Sequence, residues 1–183
     1  MLRSLALVLC LATAPAAAAG LRIHVAGEAN GPIEIDLLET VAPGHVTRMT
    51  DLAAAGFYDG IYFHRVIGGF MAQTGDGQFA RVDSVDPRNW GRGGSDLPDV
   101  PAEFSDIPFD RGVVGMARSA DPDSANSQFF IMFAPGYHLN GNYTVVGRVV
   151  SGLEILDAIK KGHPSTGAVS GAPDRIEMVE VID

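Results

Sequence analysis

The sequence predicts a single, mainly β domain that folds as an antiparallel barrel or sandwich. Short stretches of branched and aromatic residues with period-two alternation recur along the chain, whereas only two segments, far apart, have helical spacing. Many short strands with few helices are typical of barrels and sandwiches and not of doubly wound sheets. The length of 183 residues and the hydrophobic content of 46% suit one well-packed core.

Residues 1–19 have the features of a signal peptide. Arg3 supplies a positive charge, an apolar run follows, and an alanine tract ending at Ala19 fits a small-residue cleavage site before Gly20. The apolar run is shorter than the roughly 20 residues that span a bilayer, which argues against an uncleaved anchor. We therefore expect an exported, periplasmic protein with one domain over residues 20–183 and no membrane attachment after cleavage.

The charge and the cysteine content narrow the possible partners. With 13 Lys+Arg against 22 Asp+Glu the net charge is -9, which argues against binding to nucleic acid or to an anionic membrane. The only cysteine, Cys10, lies within the expected signal peptide. Its removal leaves a domain without a thiol or a disulfide, which suits an oxidising compartment.

A hairpin and a helix are expected to open the domain. Residues 21–26 and 31–38 alternate apolar and polar side chains, and turn-forming residues lie between them, which predicts two paired strands. Apolar residues then recur at helical spacing from Val46 to Phe57, and Gly56 is placed to end this first helix.

The second half of the chain combines strands with one further helix. Strand patterns occur at residues 112–118, 128–133 and 143–150. The sequence from Ser151 to Glu154 predicts a capping box at the start of the second helix, which Gly162 is placed to close. Strict alternation over residues 175–181 predicts a last strand with one buried face.

The common catalytic and metal-binding signatures do not occur in the sequence. The five histidines are scattered, no nucleophile elbow or phosphate loop occurs, and the aspartates between residues 83 and 99 lack calcium-loop spacing. We therefore expect neither a metal nor a cofactor. Residues 63–76 and 115–143 instead combine strand patterning with cationic, amide and bulky apolar side chains.

Two motifs in these segments resemble the signature of a known family. Residues 63–67 read Phe-His-Arg-Val-Ile and lead to Phe-Met-Ala-Gln, and residues 127–131 read Ser-Gln-Phe-Phe-Ile. This pattern resembles the cyclophilin family of peptidyl-prolyl cis-trans isomerases over residues 21–183, and the order of helices and terminal strand is also similar. The resemblance implies a closed eight-stranded antiparallel β-barrel capped by two α-helices, with a substrate groove on its outside.

The resemblance also implies the site. Arg65 matches the catalytic arginine of the family. The residues matched to the apolar surroundings of the substrate proline are Phe70, Met71, Phe130 and Leu139. The residues matched to the polar lining and to the segment that binds the peptide backbone are Gln73, Gln128, Ala117 and Arg118, and His138 and Tyr143 complete the site. The implied partners are proline-containing polypeptides, and we expect a monomer.

The residue types suit this chemistry. Rotation about a peptide bond is slow because the amide is partly double-bonded, with a barrier of about 18–20 kcal/mol for an ordinary bond. When the amide twists, resonance is lost and the proline nitrogen gains a lone pair that a fixed donor can bind. A guanidinium is permanently charged and offers several donors in one plane, so Arg65 suits that task. No proton transfer is required.

Three positions and the loop from Gly77 to Gly94 depart from the family pattern, and the loop is expected to influence substrate preference. His138 stands where many cyclophilins have tryptophan, Tyr143 where they have histidine, and Arg118 where asparagine is usual. The loss of the tryptophan argues against cyclosporin binding. The changes at His138 and Tyr143 motivate an alternative function, a non-catalytic proline-peptide-binding or chaperone module. A small-molecule carrier is a further alternative, and it predicts an open barrel interior.

The site residues also have ordinary structural interpretations. Arg65 could be a solvated cation or an ion-pair partner of Asp76 or Glu103. Because side chains alternate along a strand, we expect Phe129 in the core and Phe130 in the groove. We expect Arg65, Met71 and Gln73 to face outward. By the same alternation, their chain neighbours His64 and Ala72 are expected to face inward.

Overall fold

The computed structural model describes residues 19–83 and 86–183, so the expected signal peptide lies outside the described residues except for Ala19. The eight strands are β1 (Gly20–Ala26), β2 (Gly31–Leu37), β3 (Arg65–Ile67), β4 (Met71–Thr74), β5 (Val113–Met116), β6 (Phe129–Met132), β7 (Val145–Ser151) and β8 (Arg175–Ile182). The two α-helices are α1 (Pro43–Ala54) and α2 (Leu153–Ala158). The prediction of a mainly β domain with two helices is therefore confirmed.

The strands form one antiparallel sheet in the order β3-β4-β6-β5-β7-β2-β1-β8. The prediction of a closed barrel is wrong, because the sheet is an open half-barrel with β3 and β8 at its edges. The segment before β3 divides its hydrogen bonds between two neighbours: the Tyr62 amide donates to Ala80 O at 2.8 Å and the Phe63 amide to Asp174 O at 2.9 Å. Only isolated bridges such as Tyr62 to Arg175 therefore join the two edges.

The concave face of the sheet is filled by apolar side chains. Ile23 of β1, Ala72 of β4 and Ile131 of β6 are fully buried there, and Met49 and Leu52 of α1 belong to the same core. Because this interior is packed, the carrier alternative and its open interior are wrong for the described residues. Burial of this apolar area is the main source of stability in a chain without disulfides.

A second apolar cluster lies on the other face of the same strands. Met71 and Phe130 belong to it, whereas their chain neighbours Ala72 and Phe129 belong to the larger core. The alternation of side chains in β4 and β6 produces this division, as predicted. The second cluster is the apolar base on which the candidate site is built.

The start of α2 differs from the prediction. The helix has no side-chain cap, because β7 continues to Ser151 and Gly152 forms the turn with a positive φ of 86°. A Cβ atom at this glycine would lie 2.2 Å from Pro32 O, so the close approach of β2 also requires glycine. The helix ends at Ala158, and the Lys161 ammonium donates to Asp157 O at 2.7 Å beyond its last turn.

Neither helix in the described ranges has the length and apolarity needed to span a bilayer.

Candidate active site

Arg65 lies at the sheet edge in a fixed orientation. The register of β3 and β4 pairs Arg65 with Gln73, so the two side chains share a face with that of Met71. Arg65 Nη1 donates to Gln73 Oε1 at 3.2 Å and lies 3.6 Å from Met71 Sδ. Partial burial lowers the pKa of the Arg65 guanidinium, while the nearby Tyr143 raises it, and the group stays charged at neutral pH.

A chain of amide hydrogen bonds supports this arginine. Gln73 Nε2 donates to Gln128 Oε1 at 2.9 Å, and Gln128 Nε2 donates to Gly93 O at 2.7 Å. Each glutamine therefore presents its oxygen toward Arg65 and its nitrogen away from it. The chain links the guanidinium to the loop that carries Gly93 and restricts its rotamers.

A pocket of about 370 Å³ opens beside Arg65, and we call it the central pocket. Every predicted site residue lines it except Gln128, which lies in the next groove along the sheet. Met71, Phe130 and Leu139 are almost fully buried and form its apolar base. The structure thus brings the predicted residues together around one cavity.

The far wall of the central pocket is aromatic despite the changes at His138 and Tyr143. The Tyr143 ring packs edge-on against Phe130, with centroids 5.8 Å apart, and the Arg118 guanidinium lies 4.5 Å above the same ring. The His138 ring stacks on Phe70 at 5.4 Å. These contacts leave Tyr143 and His138 as flat surfaces that face the cavity.

The two carboxylates considered as partners of Arg65 have other roles, and Arg65 forms no ion pair among the described residues. Glu103 accepts hydrogen bonds from the Gly44 and His45 amides, both at 3.0 Å, and so caps the start of α1. Asp76 is fully buried and binds only backbone amides. The ion-pair interpretation of Arg65 is therefore wrong.

Asp76 fastens a loop next to the site. Its Oδ1 accepts from the Phe79 amide at 2.9 Å and the Gln78 amide at 3.2 Å, and its Oδ2 accepts from the Gly91 amide at 2.7 Å and the Gly93 amide at 3.3 Å. One carboxylate thereby binds both ends of the loop. Since Gly93 also ends the amide chain from Arg65, Asp76 supports the site indirectly.

His64 is buried beside Arg65. Burial lowers the pKa of its imidazole to about 4, although the nearby Asp76 charge acts in the opposite direction. The ring is therefore neutral at pH 7. Neither of its nitrogens has a hydrogen-bond partner within the described ranges.

Two further grooves adjoin the central pocket. The sequence predicted Gln128 of the first groove as a site residue, but it predicted none of the residues that line only the second. The polar groove has a volume of about 400 Å³, and the residues that line it but not the central pocket are Gly91, Arg92, Gly93, Ser119, Ser124, Asn126 and Gln128. The tryptophan groove has a volume of about 290 Å³, and the residues that line it but neither of the other two cavities are His64, Pro87, Trp90, Thr166, Ala168 and Val169. Their loops have no periodicity, and the poor match of the loop from Gly77 to Gly94 to the family pattern was the only sequence signal.

The chain matches known sequences over most of its length. A model of the family described as cyclophilin type peptidyl-prolyl cis-trans isomerase/CLD matches residues 21–181. A probable peptidyl-prolyl cis-trans isomerase of Brucella suis biovar 1 (strain 1330) is 53% identical over 148 residues, which are 80% of this chain and 76% of the relative. Peptidyl-prolyl cis-trans isomerase B of Bacillus subtilis (strain 168) is 39% identical over 137 residues, 74% of this chain and 87% of the relative.

Solved structures are also similar. A cyclophilin type peptidyl-prolyl cis-trans isomerase of Cryptosporidium parvum, crystallised in the presence of the dipeptide Ala-Pro, superposes with a TM-score of 0.74 at 25% identity. The match covers 90% of this chain and 99% of that structure. Cyclophilin AquaCyp293 from Hirschia baltica has a similar fold, with a TM-score of 0.70 at 24% identity over 88% of this chain and 73% of that one.

Proposed function

The chain belongs to the cyclophilin family and is a peptidyl-prolyl cis-trans isomerase, and from this we propose that it rotates X-Pro bonds at the central pocket, with Arg65 as the catalytic residue. The proline ring occupies the apolar base formed by Met71, Phe130 and Leu139. The clients are proline-containing segments of exported polypeptides, and the enzyme acts as a monomer.

One observation carries the assignment of Arg65. Its guanidinium is held by a neutral amide beside an apolar cavity and forms no ion pair among the described residues, so its charge is free to act on a bound substrate. A partly desolvated donor interacts more strongly with a developing lone pair than a donor in water does. The geometry therefore suits a group that binds the twisted amide more tightly than the planar one.

During the reaction the rest of the substrate polypeptide must rotate while the ring of its proline stays in place. Tyr143 and His138 line the cavity, and both rings are held by aromatic contacts, Tyr143 edge-on against Phe130 and His138 stacked on Phe70. A rigid wall limits the rotation of the ring and costs no ordering when substrate binds. The non-catalytic alternative gains no support from these two positions, because their contacts keep the pocket wall in place.

A protease-coupled assay with a chromogenic X-Pro peptide tests this function. We expect the cis-to-trans rate to rise in proportion to the amount of protein added, and to return to the uncatalysed rate after heat inactivation. A rate that stays at the uncatalysed value, at protein concentrations well above those of any contaminating isomerase, would leave only the non-catalytic alternative.

We also propose that residues 1–19 direct export to the periplasm. The first strand begins at Gly20, so cleavage after Ala19 leaves β1 complete. When the full chain is expressed in a Gram-negative host, we expect the periplasmic fraction to contain a product that mass spectrometry shows to begin at Gly20. The matched control is Ala19→Lys, which should block cleavage. An intact chain in the cytoplasmic fraction would contradict the proposal.

A further inference from the structure

The tryptophan groove is continuous with the central pocket, but it lies outside the apolar base that is assigned to the substrate proline. Arg65 and Gln73 lie in the walls of both cavities. A polypeptide whose proline occupies the central pocket therefore passes the opening of the groove within a few residues. This continuity makes a side chain of the same polypeptide the natural occupant of the groove.

One wall of the groove is Trp90, and it is held in place without a ligand. The indole packs on the Tyr62 ring with centroids 5.4 Å apart, and the Trp90 amide donates to Pro87 O at 3.2 Å. The next residue, Gly91, is fastened to the buried Asp76 carboxylate. An aromatic wall that is already ordered binds a ligand at little cost in conformational entropy.

The opposite wall is fastened to the sheet edge. The Val66 amide donates to Gly167 O at 2.8 Å, and Ala168 forms an isolated bridge with Arg65. Gly167 has a positive φ of 78°, and a Cβ atom there would lie 2.7 Å from Arg65 Cγ. Glycine thus permits this segment to approach the catalytic arginine closely.

The lining of the groove defines the side chains that it accepts. Pro87, Trp90, Ala168 and Val169 offer apolar surface, and the lining contains no carboxylate. Its only permanent cation is Arg65, whose planar guanidinium stacks well on flat rings. An aspartate or glutamate of the client would lose its hydration against this surface, whereas an aromatic ring would gain stacking contacts.

We propose that the tryptophan groove is a specificity subsite that accepts an apolar or aromatic side chain of the client polypeptide, a few positions from its proline. The proposal rests on the assignment of the central pocket as the proline site. An occupant of the groove also shields Arg65 from water on that side. The electrostatic contact of Arg65 with the twisted amide then strengthens, so that the preference is expressed in kcat/KM.

A peptide series tests the proposal. The parent peptide has glycine at three positions on each side of Ala-Pro, and single phenylalanine or aspartate residues are introduced at each position in turn. Exchange measured by NMR requires no protease, so the peptides differ only at the chosen position. We expect one position at which phenylalanine raises kcat/KM by roughly 3- to 10-fold over glycine, whereas aspartate gives no increase.

Variants connect that preference to the groove. In Trp90→Ala, kcat/KM for the phenylalanine peptide should fall close to that for the glycine peptide, so that their ratio approaches one. Trp90→Phe should retain most of the wild-type ratio because it keeps an aromatic wall. The matched control is Phe104→Ala, since Phe104 is an exposed aromatic residue outside the linings of the three cavities. This control should keep the wild-type ratio.

The unmodified protein provides a second measurement. Trp90 is the only tryptophan in the sequence, so its fluorescence reports directly on the groove. The phenylalanine peptide of the preferred position should shift this emission, and the parent glycine peptide should not. The absence of any preferred position, or a preference that Trp90→Ala retains, would overturn the subsite. Failure of wild-type protein to turn over the parent peptide would instead overturn the assignment of the central pocket.

Discussion

Replacing Arg65 by alanine should lower kcat/KM for an X-Pro peptide by about 100- to 1000-fold, the effect typical of removing one fixed donor from a transition state. The apolar base of the central pocket remains, so the peptide should still bind, although more weakly. Arg65→Lys keeps the charge but not the planar set of donors, and we expect it to recover only part of the activity. The measurement is the protease-coupled rate together with peptide affinity by calorimetry.

The matched control for this prediction is Arg148→Ala. Arg148 is an exposed arginine of β7 that lines none of the three cavities, so its removal changes the net charge equally without altering the site. The control should retain wild-type turnover. If Arg65→Ala is folded by circular dichroism and loses less than about threefold in kcat/KM, a value far below that expected for a transition-state donor, Arg65 is not the catalytic residue.

Replacing Asp76 by alanine should have the largest effect on stability. The side chain is fully buried, and its removal leaves four backbone amides without their acceptor. Hydrogen bonds to charged groups contribute about 1.5–3 kcal/mol each, so the two short bonds, at 2.9 and 2.7 Å, alone predict a loss of roughly 3–6 kcal/mol in the free energy of unfolding. For a domain of this size the corresponding fall in Tm is on the order of 10 °C.

Asp83→Ala is the control for that measurement, because Asp83 is an exposed carboxylate of the same loop. It should change Tm by no more than a degree or two, as is usual for an exposed charge. Asp76→Asn should be nearly as unstable as Asp76→Ala, since the amide nitrogen would face backbone donors. A Tm for Asp76→Ala equal to that of the control would show that the loop is held by other contacts.

The strands and the alternation of their faces could be predicted because local pattern determines them. Phe129 and Phe130 lie on opposite faces because side chains alternate along any strand. The catalytic role that we propose for Arg65 rests on the family motif, since an arginine on a strand has no distinctive local pattern. Its position between Met71 and Gln73 followed once the strand pair was recognised.

Features that depend on distant residues could not be predicted. The capping box at Ser151 was wrong because the pairing of β7 with β2 keeps this residue in a strand. The cap of α1 comes from Glu103, a residue far away in sequence. Trp90 follows a short 3-10 helix, Pro87–Asn89, and its place beside Arg65 depends on the long-range bonds of Asp76. Neither the contact of Glu103 with α1 nor the contact of Asp76 with Gly91 has a sequence spacing that could indicate it.

The double attachment made by Asp76 has a consequence for how this enzyme can diverge. The Asp76 side chain binds the amides of both Phe79 and Gly91. The two ends of the loop between these residues therefore stay fixed even when the sequence of the loop changes. Insertions, deletions and substitutions between these ends can remodel the wall that carries Trp90 without displacing Arg65. If the two proposed sites hold, substrate range and catalysis depend on separately variable parts of the molecule, and this loop is the place to introduce a new client preference while the isomerase site stays unchanged.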